Sequence, residues 1–141
     1  MITYLIDTSA YVHLAFHPDD RRYWEADVET GAIGMCEATR AEILFSAQSP
    51  SNRDEIEEKL ADMFEPVRVP KDVWRWVDAA QYKLTQKGQH RSAGVMDLIL
   101  CATAVHHGLH VLHRDNDFHA VARVMKDLQE QDVRRAAAGS N

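Results

Sequence analysis

Long apolar runs are missing from this chain: none approaches the roughly 18 consecutive residues that a bilayer-spanning helix requires. The opening stretch MITYLIDTSA has no basic leader, and an Asp ends its short apolar run, so it does not read as a secretory signal. Cysteine is scarce. Cys36 and Cys101 lie far apart beside small or apolar neighbours, which excludes a disulfide framework and predicts buried free thiols. These absences together predict a cytoplasmic protein with no membrane contact. An excess of positive charge is missing too, because 22 acidic residues outnumber 16 Lys and Arg, for a formal charge of −6. A plain nucleic-acid-binding module is usually basic, since phosphate neutralisation supplies most of its affinity. An enzyme holding cations in an acidic pocket escapes that objection, because bound metal inverts the local electrostatics. A partner with a basic segment suits the balance equally. No GxxxxGKS/T, GxGxxG or GxSxG string is present, so phosphate-cradling loops and the serine-hydrolase elbow have no support.

What is present is a foldable chain of ordinary size. At 45% hydrophobic and 27% charged it is too apolar for disorder, and 141 residues suit one compact domain. That domain is expected over residues 1–135, with Ala136–Asn141 as a disordered tail. Ile2–Ile6 reads as a buried strand. Asp7-Thr8-Ser9 interrupts it, and Ala10–Phe16 follows as a helix that Thr8 or Ser9 can cap and Pro18 closes. Further helices are expected over Arg21–Thr30, Glu37–Ser46 and Asp54–Phe64, the second with Ala38, Ala41, Leu44 and Phe45 at helical spacing. Ala32–Cys36 and the proline-bracketed Glu65–Pro70 read as strands. Pro70 and Asp72 open a helix reaching Leu84, and Lys87–Gly94 is a polar loop. Val95–His107 is an apolar helix stopped by Gly108, His110–His113 a strand and Phe118–Met125 a last helix. Leu128–Val133 either continues that helix or forms an edge strand, with the strand favoured. Strands alternating with helices indicate an α/β domain with a mainly parallel sheet.

The acids fall at telling places. Asp7 directly follows the first strand, and Asp115 and Asp117 directly follow His110–His113. In a parallel sheet the carboxyl ends of the strands share one edge, where ligands bind at the topological switch point. These acids are therefore expected to be neighbours. Asp97 falls in the first turn of a helix, where the dipole favours a carboxylate by roughly 0.3–1 kcal/mol. Glu42 sits mid-helix, with a side chain long enough to lean toward the same edge. Like charges about 4 Å apart repel by about 1 kcal/mol even in water. Carboxylates gathered in one cleft must hold protons or share cations, and oxygen-only donor sets select Mg²⁺ or Mn²⁺. Such a pocket suits phosphodiester cleavage, with the metal positioning the phosphate and acidifying an attacking water. Each acid also has a plain reading: a cap for Asp7, a solvated helix residue for Glu42, a dipole partner for Asp97, a turn for Asp115 and Asp117. Their joint position is what favours a site.

The same residues carry a family resemblance. Ile6-Asp7-Thr8-Ser9-Ala10 resembles the opening motif of PIN-domain nucleases, and Arg40-Ala41-Glu42-Ile43-Leu44 resembles their second acidic motif. Asp97-Leu98-Ile99-Leu100-Cys101-Ala102-Thr103-Ala104 resembles the third, and Leu112-His113-Arg114-Asp115-Asn116-Asp117-Phe118 the fourth. The set, spanning residue 1 to about 125, is similar to the VapC toxins of bacterial toxin–antitoxin pairs. The resemblance implies a PIN-like three-layer sandwich with a central sheet of four or five mainly parallel strands flanked by helices. It implies an Mg²⁺- or Mn²⁺-dependent endoribonuclease acting on RNA, a homodimer, and neutralisation by a cognate antitoxin. Carried over, Asp7, Glu42, Asp97 and Asp115 are the metal-binding acids, with Asp117 an additional or alternative ligand. Thr8 and Ser9 would orient the Asp7 carboxylate or a metal-bound water, or simply cap the helix. The chain departs from many relatives at His113, where they carry Thr or Ser.

Around these motifs, Arg40, Lys87, His90, Arg91 and Arg114 are placed to grip phosphates beside the cut. His106, His107, His110 and His113 look like a metal tract, yet Gly108 interrupts the helix and no cysteine pair completes a zinc set. Surface histidines are expected instead. Trp76 lies on an apolar stripe and is expected in the core, which leaves Trp74 as the base-stacking candidate. Two other functions compete: a non-catalytic PIN-like module binding RNA or protein, and a phosphatase using Asp7 as covalent nucleophile. The full acid set disfavours the first. Ser9, standing where such phosphatases commonly carry a second Asp, disfavours the other.

Overall fold

Short β-branched and leucine-bearing runs become strands in the computed structural model, which describes residues 1–134. The tail expected at Ala136–Asn141 lies outside the described residues. Strands β1 (Tyr4–Ile6), β2 (Ile33–Cys36), β3 (Glu65–Val67), β4 (His110–His113) and β5 (Glu130–Asp132) form one sheet in the order β3-β2-β1-β4-β5. Every pairing is parallel. Parallel neighbours need long crossovers. Helices α1 (Thr8–Phe16), α2 (Pro18–Glu29), α3 (Glu37–Phe45), α4 (Pro50–Met63), α5 (Val73–Gln86), α6 (Val95–His107) and α7 (Asp117–Val124) provide them. The expected α/β sandwich is therefore present, with the edge strand included. No helix among the described residues is long and apolar enough to cross a membrane.

Successive strand residues face opposite sides of a sheet, and that alternation builds two cores. Leu5, Cys36, Val67 and Val111 pack against Val77 and Leu84 of α5, Leu98 and Cys101 of α6, and Phe118 of α7. Ile6, Ile33, Met35 and Leu112 pack against Leu14 of α1, Trp24 of α2, Ile43 of α3 and Leu60 of α4. Both cysteines are buried free thiols, as expected.

Several boundaries differ from expectation, each for a local reason. Pro18 opens α2 instead of closing the preceding piece, because the first helical turn has no use for the missing N–H. Pro50 opens α4 in the same way, behind Ser49, whose Oγ accepts from the Asn52 N–H at 3.0 Å. Helix α1 starts at Thr8, and its cap is Asp7 and not Thr8 or Ser9. Strand β3 ends at Val67, short of Pro70, and tolerates Pro66 because it lies at the sheet edge. On α3 the buried residues are Thr39, Ile43 and Leu44, whereas Phe45, counted with the apolar stripe, is 92% exposed. Trp24 was not singled out in the sequence, yet it is buried and donates from Nε1 to the Val133 carbonyl at 2.7 Å. Trp76 is only partly buried, with its indole N–H on the Asp127 carboxylate, and Trp74 is exposed.

Gly34 of β2 sits where its neighbours leave no room for a side chain. A Cβ there would lie 2.5 Å from Val67 Cγ2 and 3.2 Å from the Glu65 carbonyl oxygen. Gly34→Ala should therefore lower the unfolding free energy by about 1–3 kcal/mol through overpacking. The check is a fall in the urea midpoint at an unchanged m-value.

Candidate active site

Strands β1 and β4 are neighbours, but the chain leaves β1 toward β2 on one side and β4 toward β5 on the other. The loops that follow them therefore diverge at the carboxyl edge, where open α/β sheets bind ligands. Ile6 pairs in register with Leu112, and the Asp7 N–H donates to the Leu112 carbonyl at 2.9 Å. The two loops therefore start level, with Asp7 at the end of one strand and Asp115 just past the end of the other.

Asp7 is 7% exposed in extended backbone (φ −94°, ψ 158°) and caps α1. Its Oδ2 accepts the Ser9 N–H at 3.0 Å and the Ser9 hydroxyl at 2.6 Å. The Ser9 Oγ in turn accepts the Arg114 N–H at 2.9 Å, so one serine pins the β1 and β4 loops to each other. Thr8 Oγ1 donates to Glu42 Oε1, which brings the mid-helix Glu of α3 to the start of α1. Asp97 lies in the first turn of α6, where its Oδ2 accepts the Gly94 N–H at 3.3 Å. Asp115 Oδ1 accepts the Asp117 N–H at 3.0 Å, closing the turn into α7.

The four acids share one field. Burial, with the charges of Asp7, Asp115 and Glu42, raises the Asp97 carboxyl from 3.8 to about 6 against the pull of the Gly94 N–H. Burial also raises Asp7; its bonds from Ser9 and Thr8 oppose the rise and the Glu42 charge adds to it. Asp117 stands at the margin: it is exposed, and slight burial and the Asp115 charge raise its carboxyl.

The expected phosphate contacts differ in their freedom. Arg114 is exposed on the β4 loop, while Lys87, His90 and Arg91 are exposed in the segment before α6. Arg40 is exposed on α3 but paired at 2.8 Å with Glu57, an acid it shares with Arg53 at 2.9 Å.

His113 corrects the expectation of a surface histidine. Strand alternation turns it to the α7 side, where it is wholly buried and stacked on Phe118 at 4.9 Å between ring centroids. Its Nε2 lies 2.7 Å from Glu130 Oε1, and His119 Nδ1 lies 2.9 Å from the same oxygen. His119 and Glu130 were missed in the sequence, since only the pairing of β5 with β4 brings them to His113. His106 and His107 are exposed at the end of α6.

A five-stranded, all-parallel α/β sheet with acids from four segments at its switch point defines a class of domain. The PIN domain profile matches residues 4–124. Ribonuclease VapC6 of Mycobacterium tuberculosis is 39% identical over 102 residues, covering 72% of this chain and 80% of that protein. Ribonuclease VapC21 of the same organism is 37% identical over 127 residues, covering 90% and 91%. Among solved structures, DNA-bound VapBC from Salmonella typhimurium shares the fold with a TM-score of 0.75 at 17% identity, covering 95% of this chain and 100% of that one. VapBC2 from Rickettsia felis gives 0.74 at 18% identity, covering 93% and 98%. The chain belongs to the PIN-domain family, and its relatives within that family are the VapC proteins.

The acid cluster makes stability depend on pH in a defined direction. Below about pH 4 Asp97 is protonated in both the folded and unfolded chains. As pH rises through about 6 the unfolded chain releases the proton first, so the folded state loses stability across that window. In metal-free protein, Asp97→Asn should raise Tm at pH 7 by more than it does at pH 4, as read by thermal melts at both values.

Proposed function

We propose that this chain is the toxin of a type II toxin–antitoxin pair, an endoribonuclease that hydrolyses RNA phosphodiester bonds with Mg²⁺ or Mn²⁺. The carrying observation is the convergence of Asp7, Glu42, Asp97 and Asp115 on one switch point, in a chain whose relatives are named ribonucleases. The donor set fits a hard divalent ion: it is all oxygen, and burial together with the neighbouring carboxylates raises Asp97 to about 6, a cost that a cation would relieve. When bound, such an ion positions the scissile phosphate and lowers the pKa of a water. The protein's part is to hold it. Asp7, Glu42, Asp97 and Asp115 are the proposed ligands, with Asp117 an added ligand from the margin. Ser9 and Thr8 keep the Asp7 and Glu42 carboxylates in place, and no side chain has to act as nucleophile. Arg114, Lys87 and Arg91 are the proposed phosphate contacts. Arg40 joins them only on leaving Glu57.

We assign the neutralising antitoxin to the apolar side chains beside this site. Val12 and Phe16 follow Thr8 at four-residue intervals on α1, and Phe45 follows Glu42 by three on α3, so each shares a helical face with a site residue. All three are exposed, Phe16 at 77%. A partner segment with apolar and basic side chains suits both that surface and the net charge of −6. Residues 1–135 form the nuclease domain in this reading, working as a homodimer in the cytoplasm.

Asn caps a helix about as well as Asp, so Asp7→Asn should keep its circular dichroism spectrum while RNA cleavage falls at least about 100-fold. Full cleavage by that variant, or by the parent protein in excess EDTA, would overturn the reading. Co-expression of the small open reading frame beside the gene should rescue growth. The Phe16→Asp, Phe45→Asp double variant should escape that rescue yet still cleave RNA; rescue undiminished by both changes would remove these side chains from the interface.

A further inference from the structure

The nuclease reading gives no task to His113, Glu130 or His119. His113 ends β4, two residues before Asp115, and both its ring nitrogens are engaged. Nδ1 accepts the Asp115 backbone N–H at 3.1 Å. A nitrogen that accepts carries no proton, so the proton of the neutral ring sits on Nε2. There it is donated to Glu130 Oε1 at 2.7 Å. Glu130 is anchored by β5, whose register sets it opposite Val111, and the His119 ring of α7 holds the same oxygen at 2.9 Å. Phe118 stacks on the His113 ring and fixes its plane.

The candidate ligand atoms of His113, His119 and Glu130 lie within 4.8 Å of one another, which by distance alone would suit a transition metal. The hydrogen bonds argue otherwise. A metal-ligating His normally donates its other ring N–H to an acceptor, whereas the other nitrogen of His113 is itself the acceptor of a backbone N–H. A metal on Nε2 would need the fully deprotonated imidazolate.

We propose that Glu130 and His113 form a brace, running from the edge strand through the buried imidazole to the Asp115 amide, that fixes the loop carrying Asp115. Both are positioning residues. Asp115 owes its role to the nuclease reading, on which this proposal rests; the brace itself is detected without any cleavage assay.

In metal-free protein, ¹⁵N spectra of labelled histidine should show His113 with a bare Nδ1 and a protonated Nε2. His113→Leu should speed hydrogen exchange at the Asp115 amide and weaken Mn²⁺ binding roughly 10- to 100-fold. His113→Asn, whose side-chain oxygen replaces the acceptor, should recover most of both. Glu130→Ala should reproduce the loss, and Glu130→Gln, which still accepts, should not. This pair leaves the buried ring intact and serves if the His113 variants fail to fold. A proton on Nδ1 would overturn the brace. So would equal Mn²⁺ affinities for the Leu and Asn variants, or Zn²⁺ binding that shifts both the His113 and His119 rings. A parent protein with the brace's spectra but no RNA cleavage would sink the nuclease reading alone; cleavage without those spectra would sink the brace alone.

Discussion

Mutual repulsion among carboxylates is the constraint against which this fold is built. Burial, with the charges of Asp7, Asp115 and Glu42, raises the proton affinity of Asp97, and nothing in the acids' own chemistry holds the four segments together. The holding is done by the sheet. β1 lies at its centre, with Leu5 and Ile6 wholly buried on opposite faces, so the strand end that presents Asp7 is gripped from both sides. Burying such side chains stabilises by roughly 1.5–3 kcal/mol each, against repulsions of a few kcal/mol for charges at a protein surface. Packing of the strand thus works against the repulsion and keeps Asp7 at the strand end.

The small hydroxyl residues make that arrangement specific. Ser9 accepts from one loop and donates to the acid of the other, so Asp7 and the β4 loop are tied together. Thr8 links α1 to α3 by donating its hydroxyl to Glu42. The helix cap and the site are thus one structure, because the carboxylate that satisfies the first turn of α1 is also the buried acid of the site.

Much of this was legible in the sequence, for reasons that can be named. Helix α6 and strand β4 were bounded correctly because Gly108 supplies the left-handed stop (φ +70°) and the apolar periods on either side differ. Asp7 and Asp115 were legible from strand ends in a parallel sheet and Asp97 from a helix start, with no need of side-chain detail. Glu42 was not, since a mid-helix Glu becomes distinctive only through its bond from Thr8. The prolines misled at Pro18, because a residue that stops one helix is equally suited to starting another. His113 was misread because a polar ring at a strand end looks like surface until its partner appears. That partner, Glu130, lies on an edge strand whose register no local pattern encodes.

The edges of the sheet carry one more consequence. Strands β3 and β5 are each three residues long; one contains Pro66 between Glu65 and Val67, and the other reads Glu-Gln-Asp. Short, charged or proline-bearing margins offer a poor template for an added strand. Free chains at high concentration are thereby guarded against pairing edge to edge into aggregates.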